Sequence, residues 1–232
     1  MLVLAIDTSA KVSSVSLVKD RRLLAMTTLN TGNTHSETLL TSVNSLFSLA
    51  GVSSLDVDLF AVSAGPGSFT GIRIGVALVK GLAFGHKKCV GVSTLEALAY
   101  NLEGQDGIIC PVMDARRNQV YNALFKYENG ELVRLCEDRL VTLEFLKNEL
   151  SAMGDKVRLV GDGYGIASDF LSDLSLVSTP EIYRHQNACS VAFCGIKMFE
   201  NGNFCDDESL LPIYLRAPQA ERERLAKLQN AE

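Results

Sequence analysis

Two aspartates stand where a strand should stop. Asp7 ends the apolar run 2–6 and Asp114 ends the run 108–113, and each is followed by a short turn and a returning apolar segment. Carboxylates placed so can hold a hydrated divalent cation beside turn amides that grip phosphate. They can also do no more than cap a hairpin turn, which is ordinary work for aspartate. The turns favour the plainer role. Neither Thr8-Ser9-Ala10-Lys11 nor Ala115-Arg116-Arg117-Asn118 contains glycine, on which a backbone cradle for phosphate relies for close approach.

Other chemistry is sparse. His35, His86 and His185 lie far apart, and none has a second histidine three to five residues away, so no ready metal motif exists. His35 falls in the first turn of an expected helix and belongs at the surface or an interface. No nucleophile elbow occurs. Cys89, Cys110, Cys136, Cys189, Cys194 and Cys205 form no Cys-x-x-Cys pair and read as thiols in a reducing compartment. A net charge of −5 argues against gripping nucleic acid alone, but leaves room for a basic partner in an RNA pathway. Hydrophobic residues make up 47% and charged residues 21%, an ordinary balance for a soluble chain. No apolar run approaches a membrane span, and the first residues read as a strand, not a signal peptide, so a cytoplasmic protein is expected.

The most telling stretch is 63–85, SAGPGSFTGIRIGVALVKGLAFG. An apolar strand ends in Gly65-Pro66-Gly67, and a long apolar helix begins just beyond. At helical spacing Gly71, Gly75, Leu78, Leu82 and Gly85 form one stripe and Ile72, Val76, Val79 and Ala83 a second. Arg73, Lys80 and Phe84 mark a third side. A helix so apolar must be covered on more than one face. Interior glycine costs about 1 kcal/mol against alanine, so Gly71 and Gly75 imply a close neighbour. That neighbour is either a helix of the same chain or a partner subunit.

These residues need elements to position them. Three strand-like runs (2–7, 12–18, 22–29) precede a helix with Thr34 as N-cap and Glu37 at N3, stopped at Gly51. A strand, the glycine turn and the long helix follow. Ser93 and Glu96 form a second capping box opening a helix through Tyr100. The polar segment 103–107 is the expected boundary, dividing the chain into lobes 1–103 and 104–232, with a tail from Leu211 that returns to the first lobe or stays with the second. The pattern then restarts: a strand to Met113, one returning strand 120–127, a third run near 132–136, a helix capped by Thr142, a strand 157–160 into Gly161-Asp162-Gly163-Tyr164, and a helix over about 187–199.

Stated twice, this order resembles the actin, Hsp70 and sugar-kinase superfamily, an α/β fold whose two related lobes, each a mixed sheet with flanking helices, close over a nucleotide. The resemblance implies a vestigial nucleotide cleft at Asp7, Thr8, Asp114, Gly161, Asp162 and Gly163, with adenosine resting on the last turn.

More specific segments resemble the bacterial TsaB (YeaZ) family. They are LAIDTSAKVSSVSLV (4–18), THSETLL (34–40), GPGSFTGIRIGVALVKGLAFG (65–85), GVSTLEALA (91–99), MDARRNQVYNALF (113–125) and IYLRAPQAERE (213–223). The likeness spans nearly the whole chain, and GPGSFTGIRIG is highly specific. The resemblance implies a non-catalytic paralogue of TsaD, the subunit that transfers threonylcarbamoyl to adenosine 37 of tRNA. It also implies a heterodimer with the TsaD-type paralogue through His35, Leu39, Thr70, Gly71, Arg73, Gly75, Leu78 and Leu82. The same face would form a homodimer when the chain is alone, a TsaE-type ATPase would join the pair, and tRNA would be met only indirectly. No cofactor is expected to bind tightly, though an adenine nucleotide held weakly or at the subunit interface fits the resemblance. The catalytic paralogue carries two histidines four residues apart on a first-lobe helix, and these hold a metal. Thr94 and Leu98 occupy the matching positions, and leucine cannot ligate. The competing expectation is an autonomous small-molecule kinase or ATPase using Asp7 and Asp114.

Overall fold

A computed structural model describes residues 1–216. The first sheet holds β1 (Leu2–Asp7), β2 (Ser13–Lys19), β3 (Arg22–Leu29), β4 (Leu59–Gly65) and β5 (Lys88–Ser93) in the order β3-β2-β1-β4-β5. β1 is antiparallel to β2 and parallel to β4. Its residues alternate between two cores, as side chains of a strand must. Leu2, Leu4 and Ile6 pack under α1 (His35–Ala50) and α2 (Phe69–Leu82), while Val3 and Ala5 face the opposite layer. α1 has the expected capping box at Thr34 and Glu37 and ends on Gly51, whose φ of 66° is left-handed. α3 (Thr94–Tyr100) begins where the Ser93 hydroxyl accepts from the Glu96 amide.

The second sheet repeats the plan. β6 (Ile108–Asp114) lies antiparallel to β7 (Gln119–Asn122) and β8 (Phe125–Glu128), and parallel to β11 (Val157–Val160) on its other side. β9 (Glu131–Arg134) and β10 (Arg139–Thr142) extend it. α4 (Leu143–Met153) and α5 (Tyr164–Phe170) cover one face. The other face meets α3, where Leu95 and Leu98 pack against Ile109, Met113 and Phe125. α3 is thus the seam between the lobes. The antiparallel-then-parallel pattern around β1 recurs around β6, and the chain has the two-lobed actin-like fold.

Two details differ from expectation. The returning strand 120–127 is two strands, β7 and β8. Asn122 lies fully buried at the break, where its amide donates to the carbonyls of Pro111 and Ala123 and its oxygen accepts from Arg139. Satisfying that buried amide interrupts the ladder. The second difference is the lobe boundary. The expected second lobe, 104–232, keeps too much, because the chain returns well before Leu211. α6 (Ala188–Glu200) buries Val191, Ala192 and Ile196 against Val3, Ala5 and Ala61 of the first sheet. Cys89 and Cys205 then pair their backbones at the far edge of β5. The apolar face of α6 has its complement on the first sheet, and this decides which lobe it joins.

Candidate partner surface and interlobe cleft

α2 presents one face inward and one outward. Gly71 and Gly75 are inside. A Cβ on Gly71 would lie 2.0 Å from the Thr8 carbonyl oxygen, and one on Gly75 would lie 2.4 Å from the Thr8 hydroxyl. That hydroxyl donates to the Gly71 carbonyl at 2.8 Å. The close neighbour implied by the glycines is therefore neither a partner nor a second helix, but the β1–β2 turn of the same chain. Gly71 and Gly75 do not belong to an external interface. Leu39 does not either, for it is 2% exposed and sits in the core under α1.

The outward face comprises other residues. Thr70, Arg73, Ala77, Gly81 and Phe84 are exposed along α2 and just beyond it, with Ile74, Leu78 and Leu82 half-buried beside them. The neighbouring α1 exposes Leu40 and Leu49. Phe84 and Leu49 are each 83% exposed, an uncommon state for large apolar side chains. His35, at the start of α1, is half-buried, and its Nε2–H donates to the Ala10 carbonyl at 2.7 Å. It ties α1 to the β1–β2 turn. Of the eight residues first assigned to docking, Thr70, Arg73, Leu78 and Leu82 remain at or near the outer surface. Phe84 already stood on the third side in the sequence, and periodicity could have added Ala77 and Gly81 to the face opposite the core stripe.

Between the lobes lies a cleft of about 1030 Å³. Asp114 and Asp162 line it, together with Lys11, His35, Arg116 and Tyr121. Asp7 and Thr8 do not. Asp7 is fully buried, one of its oxygens accepting from the amide and hydroxyl of Ser9 and the other from the Ser63 hydroxyl at 2.6 Å. Burial pushes its carboxyl up from the usual range, and these hydrogen bonds only partly oppose that. Asp7 thus fastens β1 to its turn and to β4, and offers nothing to a ligand. Gly161 and Gly163 are also explained from within. A Cβ on Gly161 would meet the Val112 carbonyl at 2.3 Å, and one on Gly163 would meet it at 3.0 Å. The turn needs glycine to pass the end of β6. Asp162, between them, has an open edge to solvent but is otherwise crowded by protein. Desolvation first, and the neighbouring Asp114 carboxylate second, push it up to about 6. Asp114 accepts from the Arg116 amide at 2.7 Å, as a turn-capping aspartate does.

Thr94 and Leu98, which the family resemblance sets opposite metal ligands, are buried in the α3 seam. Leu98 packs in the core with Met113 and Val160. Neither residue fits a metal, and among the described residues no three His, Cys, Asp or Glu side chains come together in a metal-holding group. The described residues also contain no helix long and apolar enough to cross a membrane.

Residues 28–201 match the family described as TsaD, tRNA N6-adenosine threonylcarbamoyltransferase. The chain is 32% identical over 226 residues to the tRNA threonylcarbamoyladenosine biosynthesis protein TsaB of Bacillus subtilis, covering 95% of this chain and 96% of that one. It is 30% identical to the TsaB of Escherichia coli, over 93% of this chain and 95% of the relative. Among solved structures, YeaZ from Pseudomonas aeruginosa superposes with a TM-score of 0.76 at 27% identity, covering 92% of this chain and 99% of that one.

Proposed function

The chain belongs to the TsaD family and to its TsaB branch, and on that premise we propose that it is the non-catalytic member of a heterodimer with a TsaD-type paralogue. It takes part in tRNA threonylcarbamoyladenosine biosynthesis. Its own share is to complete and position the catalytic subunit that transfers threonylcarbamoyl to adenosine 37. The observation that carries this reading is the outward face of α1 and α2, which leaves Leu40, Leu49 and Phe84 uncovered. A monomer gains nothing from such exposure, whereas a partner helix pair would bury it at roughly 25 cal/mol per Å² of apolar surface. Thr94 and Leu98 agree with it, since the positions that would hold a metal in the paralogue are apolar or tucked into the seam.

The contact surface then comprises Thr70, Arg73, Ala77, Leu78, Gly81 and Phe84 with Leu40 and Leu49 of α1, not the buried glycines. Without its partner the chain pairs with a second copy through the same face, because a two-fold contact reuses one patch. A TsaE-type ATPase joins the heterodimer, tRNA is reached through the other subunits, and the assembly works in the cytoplasm. An adenine nucleotide, if present, lies weakly or at the subunit junction. The test is reconstitution. Threonylcarbamoyl transfer to tRNA is measured with the TsaD-type paralogue, the TsaE-type ATPase and this chain, and again with this chain withheld. Transfer should collapse on omission. Undiminished transfer would overturn the proposal, and tight binding of ATP and Mg²⁺ to the isolated chain would favour an autonomous ATPase.

A further inference from the structure

Residues 211–216 bridge the two lobes along the mouth of the cleft. On the first lobe, the Ile213 amide donates to the Ala64 carbonyl at 2.7 Å. The strand end is shaped for it, since a Cβ on Gly65 would lie 2.2 Å from the Ile213 carbonyl oxygen. The Tyr214 ring packs tilted against Phe69 with centroids 4.9 Å apart, and its hydroxyl accepts from Arg73 Nε at 2.9 Å. The Arg73 guanidinium lies 3.8 Å over the Phe69 ring and completes the anchor.

Two residues later the same segment holds the second lobe. Arg216 donates through Nη1 to the Ala115 carbonyl at 2.9 Å and through Nη2 to Gln119 Oε1 at 3.0 Å. These two acceptors bracket the β6–β7 turn. That turn needs holding, because Arg116, Arg117 and Asn118 have φ of 66°, 57° and 56° in succession. Left-handed backbone costs roughly 1–2 kcal/mol for an ordinary L residue. Ile213, Tyr214 and Arg216 themselves line the cleft. Within four residues, this segment hydrogen-bonds to both walls of the cleft.

We propose that residues 213–216 are a clasp that sets the separation of the lobes. In two-lobed binding folds a ligand held by both walls commonly draws the lobes together. Here a stretch of the chain takes that position, one end fixed by Tyr214 on α2 and the other by Arg216 on the β6–β7 turn. The cleft is held at its present width by the protein itself. Released, the second lobe pivots about α3 and the mouth widens.

The experiment uses the full chain as Arg216→Ala and as the milder Tyr214→Phe, which removes only the hydroxyl that Arg73 grips. Amide hydrogen exchange is followed across residues 113–121 together with the solution scattering radius. Arg216→Ala should speed exchange at Ala115 and Gln119 by about tenfold or more, with β1 and β4 protection unchanged. The scattering radius should increase. Tyr214→Phe should move both readouts in the same direction by less. Unchanged exchange in the turn, an unchanged radius, or exchange that rises equally in β1 and β4 would each overturn the clasp.

Discussion

Replacing Gly71 by alanine should destabilise the fold, although alanine is the better helix former. The new methyl would lie 2.0 Å from the Thr8 carbonyl oxygen, backbone against backbone, with no flexible side-chain end to yield. α2 would have to withdraw by about 1 Å or more in an interior packed as densely as a crystal. Withdrawal breaks the 2.8 Å hydrogen bond from Thr8 to Gly71, worth about 1 kcal/mol, and loosens Ile72 and Val76 over the sheet. Overpacking of this kind costs roughly 1–3 kcal/mol, while the helix propensity of alanine returns about 1. The net loss should be about 1–3 kcal/mol, a fall in Tm of roughly 3–10 °C for a chain of this length. Gly81 on the same helix is the control, since nothing lies within 4 Å of a Cβ there and the residue is exposed. Gly81→Ala should gain about 0.5–1 kcal/mol and raise Tm by a few degrees. Thermal melting by far-UV circular dichroism measures both variants. If the two substitutions shift Tm with the same sign, the placement of the glycine face against Thr8 is refuted.

Ala77→Arg, at an exposed position, should weaken association with the TsaD-type partner by tenfold or more while moving Tm by less than about 2 °C, read by light scattering and calorimetric titration. Asn122→Leu should cost about 2–4 kcal/mol in urea unfolding, because it strands the Pro111 and Ala123 carbonyls and takes one acceptor from Arg139, which keeps only Glu149. Asp162→Asn tests the acidic wall of the cleft. Desolvation, and after it the Asp114 carboxylate, push its carboxyl up to about 6 from the ordinary 3.8, so the folded state favours the protonated form. The stability it contributes is present below 3.8 and is lost as pH rises through about 6. The asparagine variant should therefore gain Tm relative to the parent across that window and hold the gain at neutral pH. A pH-independent difference would count against the shift.

The element order was legible because its signals are local. The capping residues Thr34, Ser93 and Thr142 stand at the helix starts where the pattern placed them. Glycine and apolar spacing marked the turn at 65–67 and the doubly covered helix beyond it. The segments shared with TsaB proteins sufficed for the family. Less legible were β10 and the break between β7 and β8, since both depend on where a buried Asn122 finds its partners.

The amino-acid order by itself determined that α2 would be apolar nearly all round, that Gly71 and Gly75 would meet something close, and that the chain would repeat its plan. Periodicity records that a face is covered but not by what. Only the tertiary structure decided that Thr8 covers the glycines, that Asp7 is sealed between Ser9 and Ser63, and that α6 and residues 213–216 return to the first lobe. Those outcomes depend on contacts between residues far apart along the chain, whose complementarity exists only once the sheets are in register.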